Sequence, residues 1–473
     1  MSTLKVVPKV EKEFVNSAGV SFDNNPPEFL LAMARTYGEI VKFHFGPIRI
    51  MLVSNPDMVR EILITQAKNF PKARRDINLM SRILGAGLVT TNGDQHKRQR
   101  RLAQPAFHHR RIASYADTIT QYSDIVANGL RAGESINMAD VMESLTMYIV
   151  SKTLFDVDME EMVESAAEIG HAIDELQTLV DKNFDKLINL PLWVPTPDNI
   201  KNWRARKVVD TTITRIMKER RGTSENSIPQ DTGDLLSMLM LAKDEDGSFM
   251  SDVEIRDQLL TLFVAGHETT SNAMLWTWYL LSQHPDVEAK LHSELDEVLG
   301  GRLPTLEDLK SLPYTEMVLK ESMRVLPPVW MLNARQAISA TEINGYHVPK
   351  GTMMFVSPYV IQHLETNFTE PDQFDPERFQ ADKVDEIHKY AWIPFGAGGR
   401  VCIGNSFAIM EAQLILATFA QRFHFDMAEN ESVRLQARIT MTNYGGMQMN
   451  VVERDQEIQQ DCKYSALTEP AKS

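Results

Sequence analysis

The stretch FGAGGRVCIG, Phe395 to Gly404, sets one of the chain's two cysteines in a glycine-rich loop directly ahead of an apolar segment with helical spacing. Gly396, Gly398 and Gly399 open backbone conformations closed to other residues and allow close approach to a flat partner, and Gly404 does the same on the far side. Arg400 puts a positive charge two residues from Cys402. The helix start through Ser406, Phe407 and Ala408 adds backbone N–H donors and the positive end of a dipole. Both favour an ionised sulfur, so Cys402 reads as a metal ligand. The alternative is a buried, inert cysteine, the ordinary fate of a lone thiol. The coincidence of glycines, arginine and helix start around one sulfur argues for the ligand.

FGAGGRVCIG resembles the haem-binding loop of the cytochrome P-450 superfamily, whose pattern is F-x-x-G-x-R-x-C-x-G, and every specified position matches. The resemblance implies haem b held through Cys402, with Phe395 and Arg400 also at the cofactor. A cysteine thiolate on haem iron favours O–O cleavage, so it marks oxygen activation rather than carriage. The implied fold is mainly α with a smaller β-rich region (α+β), the haem lying between a long helix and the Cys-loop helix. We expect one haem-binding domain over residues 1–473, with about 1–20 and 455–473 as loose tails.

The long helix is legible by itself. Asp244 to Gly247 form a turn, Ser251 with Glu254 makes a capping box, and helical spacing runs to His284, where Pro285 stops it. Thirty-odd residues span roughly 45–50 Å. The helix carries AGHETT, Ala265 to Thr270, which is similar to the superfamily's oxygen-activating pattern. Ala265 and Thr269 share a face, and Gly266 leaves room for a ligand. The resemblance gives Thr269 a hydrogen-bonding role at bound oxygen and makes Glu268 the candidate proton source. Otherwise Thr269 bonds back to the Ala265 carbonyl and Glu268 is a solvated charge.

Glu321 and Arg324, in YTEMVLKESMRVLPP, lie three apart on one helix face, with Pro327-Pro328 ending the helix. Alone this is an ordinary pair. PERF, Pro376 to Phe379, follows where the superfamily has it, so Arg378 becomes the third member of a buried structural cluster. In GDQHKRQRRLAQPAF, His96 and Arg100 share a helix side; with Arg335 and Arg400 they are the expected partners of the haem propionates. Lys97, Arg98, Arg101, Arg110 and Arg111 suggest a docking patch for an acidic redox protein, or simply a solvated face.

Composition adds exclusions. A net charge of −15 argues against nucleic acid. With one of two cysteines on iron there is no disulfide framework, which fits a reducing cytoplasm. MSTLKVVPKVEKEF has neither a signal-peptide core nor the ~20 apolar residues of a membrane span. We therefore expect a soluble, cytoplasmic protein of the bacterial type, without membrane anchor, and a monomer. VKFHFGPIRIMLVS, Val41 to Ser54, reads as a hairpin around Gly46-Pro47. LPLWVPTP, Leu190 to Pro197, breaks the middle of the chain, and RGTSENSIPQDTGD, Arg221 to Asp234, reads as an exposed loop.

The superfamily's substrate segments fall on Ile77 to Leu88, on Phe263 and Val264, after Pro328, and on MTNYGG. They supply Ile77, Leu79, Met80, Leu84, Val264, Val329, Met331, Leu332, Met441 and Tyr444, an apolar, methionine-rich lining suited to a fatty acid, terpenoid or similar ligand. The implied reaction hydroxylates or epoxidises that ligand with O2. At this length the chain has no room for a reductase, so electrons come from NAD(P)H through a separate ferredoxin or flavodoxin and its reductase. A peroxygenase or isomerase would not need the Glu268–Thr269 pair. A haem-based sensor would bind ligand without turnover.

Overall fold

A computed structural model describes residues 5–11, 14, 19–157, 172, 175, 176, 178, 179, 182, 190–221 and 233–454. The loop read at Arg221 to Asp234 lies outside them except at its ends, as does the tail from 455. Of the N-terminal stretch expected to be loose, residues 5–11 lie against the sheet: Lys5 N–H donates to Gly345 O (2.9 Å), Val10 N–H to Lys42 O (3.1 Å), and Val7 is buried.

The hairpin forms as its alternation predicts. Strands Ile40–Phe45 and Ile48–Val53 pair antiparallel with Phe45 opposite Ile48, and Gly46 takes φ +56° at the turn. Ile48–Val53 then pairs in parallel with Met353–Val356, and Arg335–Gln336 completes the four-stranded sheet. This last strand brings Arg335, far away in sequence, to the edge of the site.

Most of the remainder is helical. The long helix spans Asp252–Gln283, its start fixed by the capping box of Ser251 and Glu254 and its end by His284, after which Pro285 opens helix Pro285–Leu299. It packs along Met138–Phe155, which is N-capped by Asn137. Toward its end it is buried all round. Trp278 meets the edge of Phe425 at 4.9 Å, Trp276 Nε1 donates to Met441 O (2.9 Å), and Thr277 Oγ1 donates to Ser322 Oγ (2.9 Å). That last bond joins the long helix to Pro313–Val325. The apolar helix Asn405–Ala420, buried from Met410 onward, fills the core behind. Its N-cap is Gly404, so the cysteine loop feeds directly into a fixed element.

Candidate active site

The cysteine loop is shaped by two glycines rather than four. Gly396 and Gly398 both take φ +69°. A Cβ on Gly398 would stand 2.5 Å from Leu63 O, so this glycine lets the loop rest on the segment Glu61–Thr65. Gly399 has open space, and a Cβ on Gly404 would meet Phe107 at an ordinary 3.5 Å, so neither position demands glycine. Cys402 N–H donates to Phe395 O (2.9 Å), closing the turn that presents the sulfur. Burial pushes the Cys402 thiol up; a backbone hydrogen bond from Gly404 and the charge of Arg100 oppose it. The helping cation is thus Arg100 and not Arg400, because Arg100 Nη1 donates to Val401 O (2.7 Å) beside the sulfur.

Cys402 faces a cavity of about 1390 Å³. That exceeds the roughly 300–1,000 Å³ of a pocket for one small ligand, so a cofactor and a substrate fit together. On one side of it stand three cations, the buried Lys72 and Arg335 and the half-buried Arg400. Burial drives the Lys72 amine well below its ordinary value, and holds Arg335 and Arg400 down at about 10. Arg335 Nε and Arg400 Nη1 are buried without a hydrogen-bond partner among the described residues. The neighbouring carboxylate, Asp76, accepts from Ala334 N–H (2.9 Å). Asn92 organises the group: its Oδ1 accepts from Arg400 Nη2 (2.9 Å) and Lys72 N–H (3.2 Å), and its Nδ2 donates to Lys72 O (3.0 Å). Clustered cations with orphaned N–H groups next to a cysteine are a donor set that fits haem and its two propionates.

His96 is buried and held neutral, its pKa lowered to about 3 by burial and then by Arg400, Lys72, Arg100 and Arg335. His96 and Arg100 line a shallow groove beside Gly399, with His96 close to the charges of Arg400, Lys72 and Arg335. The outer cations of the same helix are largely paired. Arg98 meets Asp244 and Glu254, each at 2.6 Å, Arg101 meets Glu245 (2.7 Å) and Asp244, and Lys97 meets Asp94 (2.8 Å). The basic patch is smaller than the sequence suggests.

Across from the cysteine, Ala265, Gly266, Glu268, Thr269 and Thr270 line the cavity. Thr269 Oγ1 donates to Ala265 O (2.5 Å), the bond that helical threonines commonly make. A Cβ on Gly266 would meet Val150 Cγ2 at 3.3 Å, so the missing side chain serves the close approach of helix Met138–Phe155 as well as ligand space. Glu268 is tethered, not solvated: Thr440 Oγ1 donates to its Oε1 (2.5 Å), and Asn272 Nδ2 donates to Thr440 (3.2 Å). Thr270 Oγ1 donates to Glu411 Oε2 (3.1 Å) on the Cys-loop helix, a carboxyl raised to about 8 by burial.

Of the expected substrate residues, Met80, Leu84, Val264, Val329, Met331, Leu332 and Tyr444 line the cavity. Leu79, Ile77, Phe263 and Met441 do not. Met80 and Leu84 are four apart on helix Arg74–Leu84 and share its cavity face, which turns the adjacent Leu79 into the core. Phe263 stacks on His267 and packs at a tilt against Phe155, and Met441 is fully buried. Lys72, Asn92, Asn333 and Thr440 were missed. A buried lysine in FPKARR and an asparagine before GDQH carry no motif; folding alone brings them in.

Behind the cysteine loop, Arg324 is fully buried with all five N–H donors satisfied. Nε and Nη2 reach Glu321 (2.7 and 2.8 Å), Nη1 reaches Gln362 O and Pro371 O (2.9 and 2.7 Å), and Nη2 also reaches Gln373 O (2.9 Å). Arg378 Nε donates to Glu321 Oε1 (3.3 Å), which also accepts from Asp375 N–H (2.9 Å). The three residues meet as their spacing and order suggested.

The sequence model of the cytochrome P-450 family matches residues 8–447. The chain is 35% identical over 404 residues to cyclooctat-9-en-7-ol 5-monooxygenase of Streptomyces melanosporofaciens, covering 84% of each. It is 34% identical to cyclooctatin synthase of the same organism, covering 88% of this chain and 89% of the relative. Against pentalenene oxygenase of Streptomyces avermitilis the identity is 30%, over 90% of this chain and 93% of the relative. The chain therefore belongs to the cytochrome P-450 family and is a haem-thiolate monooxygenase.

Proposed function

We propose that this monooxygenase oxidises a cyclic terpenoid, with Cys402 as the axial ligand of haem b and residues 1–473 acting as one catalytic unit. The observation that carries the reading is the cavity shared by Cys402 and the Ala265–Thr270 face, walled by Met80, Leu84, Val264, Val329, Met331 and Leu332. The named relatives favour the terpenoid over the fatty acid, which the sequence alone left open. Arg335, Arg400 and Lys72 would hold the propionates, and Arg100 and Gly404 would stabilise the thiolate. The haem, when bound, supplies the activation of O2.

The chain's own part is to bind substrate against the apolar wall, exclude bulk water and pass protons. Thr269 can turn its hydroxyl from the Ala265 carbonyl toward the cavity, and Glu268, its Oε1 held by the Thr440 hydroxyl, can carry a proton on its carboxyl group. Thr269→Ala should keep haem and substrate binding while peroxide replaces product. Electrons come from NAD(P)H through a ferredoxin or flavodoxin and its reductase to a monomeric, cytoplasmic enzyme. The test is titration of the ferric protein with cyclic terpenoids and with saturated fatty acids of graded length, following the haem band for a low-spin to high-spin shift. A saturable shift with terpenoids alone supports the reading. A shift confined to fatty acids overturns its substrate class.

A further inference from the structure

Glu268, Asn272 and Trp276 stand at successive turns of the long helix and form one stripe, and all three bond to the same short hairpin. Strands Leu435–Ala437 and Met441–Asn443 pair antiparallel, with Met441 opposite Ala437. Trp276 Nε1 donates to Met441 O (2.9 Å), Asn272 Nδ2 to Thr440 Oγ1 (3.2 Å), and Thr440 Oγ1 to Glu268 Oε1 (2.5 Å). The hairpin is also fixed from the segment after Pro328: Met441 N–H donates to Pro328 O (2.8 Å), and Trp330 Nε1 to Arg438 O (2.7 Å). Leu435, Ala437, Ile439 and Thr440 line the cavity. The wall that would touch substrate therefore also holds the carboxylate of Glu268.

The direction of these bonds follows from the donors at hand. A threonine hydroxyl carries a single proton. Thr440 Oγ1 accepts from the Asn272 amide, so its own proton goes to Glu268, where Oε1 receives it. The order Asn272, Thr440, Glu268 is polarised one way, and each bond strengthens the next. With Oε1 occupied by a donor, a proton taken up by Glu268 sits on Oε2. Asn272 and Thr440 are buried, whereas Glu268 is half-buried and stands on the cavity wall beside Thr269. A hydroxyl that only completed the fold would act on stability alone. One aimed at a carboxyl on the cavity wall also fixes which of its oxygens can exchange protons.

We propose that Thr440 is a positioning residue for the monooxygenase reaction, pinning Oε1 of Glu268 to the hairpin and leaving Oε2 as the oxygen that carries protons toward the cavity. The proposal rests on the reading of Glu268 as proton source. It adds that the substrate wall and the proton path share one element, hairpin 435–443, so both depend on the same side chain. The balance of oxygen reduction reports that path. Two electrons and two protons convert O2 to hydrogen peroxide, and four electrons and four protons convert it to two waters. Misdirected proton delivery raises the share of peroxide.

The test measures hydrogen peroxide formed per NADPH oxidised by the holoprotein with a surrogate ferredoxin and its reductase. No organic substrate is added, so the outcome does not depend on the substrate class. In Thr440→Val the ratio of peroxide to water should rise roughly three- to tenfold, the range for losing one hydrogen bond, and Thr440→Ser should restore the parent's ratio. Glu268→Gln should raise it at least as far. Thr440→Val/Glu268→Gln should go no further than Glu268→Gln alone, because Thr440 acts through the carboxyl. On the resting protein, the infrared band that Glu268→Gln removes should shift in Thr440→Val and return in Thr440→Ser. An unchanged haem spectrum shows that each variant is folded. A parent-like ratio in Thr440→Val, or single effects that add in the double variant, overturns the role of Thr440 and leaves Glu268 in place. A parent-like ratio in Glu268→Gln overturns both the proposal and the reading of Glu268 on which it rests.

Discussion

Two arginine clusters, each with one buried guanidinium and one half-buried, lie near the cysteine loop, and they are built in opposite ways. At Glu321, Arg324 and Arg378 every donor of the central guanidinium has a partner, and the carboxylate lies inside the network. At Lys72, Arg335 and Arg400 the cations gather, burial lowers their pKa values, and N–H groups on Arg335 and Arg400 find no acceptor among the described residues. Water-free burial of an unpaired cation costs far more than burial of a paired one. The first cluster is complete in protein and holds the fold. The second leaves N–H groups on Arg335 and Arg400 open to an added anion, the part that the proposed haem propionates would take.

The contrast gives the two clusters opposite responses to mutation. Glu321→Ala leaves a buried and a half-buried guanidinium uncompensated and should cost about 3–5 kcal/mol. The variant should accumulate as aggregate or apoprotein; normal yield and haem content would erase the distinction. Arg335→Met removes a cation that the apoprotein buries without compensation. Its apoprotein should melt at or above the parent's temperature. Its haem affinity should drop roughly ten- to a hundredfold, the worth of about 1.5–3 kcal/mol for a charged hydrogen bond. Calorimetry of the apoprotein with haem titration separates the two effects, and a destabilised apoprotein would place Arg335 with the structural cluster.

A pH effect sharpens the same point. His96 has a folded-state pKa of about 3, below its ordinary value near 6.5, so the unfolded chain takes up the proton first on acidification. The contribution of neutral His96 to apoprotein stability is therefore fully present above pH 6.5 and is lost as the pH falls from there toward about 3, at up to about 1.4 kcal/mol per pH unit. Propionates among the same cations would lift the His96 pKa and flatten that slope. Melting curves of apoprotein, holoprotein and His96→Asn across this range should show the steepest fall in the parent apoprotein. Gly266→Ala should have the smallest effect, a stabilisation of at most about 0.5–1 kcal/mol in melting experiments from the gain in helix propensity, because Val150 can yield by a few tenths of an ångström.

What the sequence made legible follows from how local each signal is. The capping box at Ser251 and the stop at Pro285 bound the long helix correctly because both act within a turn of its ends. Cys402, Thr269 and the Glu321–Arg324 pair are local patterns too. Sequence reasoning went astray where a side chain's direction depends on tertiary packing. Leu79 turns inward while Met80 faces the cavity, and Arg98 and Arg101 are neutralised by a turn some 145 residues away. Lys72 and Asn92 were invisible for the same reason. Their meaning appears only once the strand Arg335–Gln336 and the cysteine loop close around them.

The most direct test is the reduced, carbon monoxide-bound difference spectrum of the parent and of Cys402→Ser, with folding checked by far-ultraviolet circular dichroism. Thiolate ligation predicts a strongly red-shifted haem band in the parent that is absent from a folded Cys402→Ser protein. The same band surviving in Cys402→Ser would contradict the assignment of the axial ligand, and with it the reading of the cysteine loop.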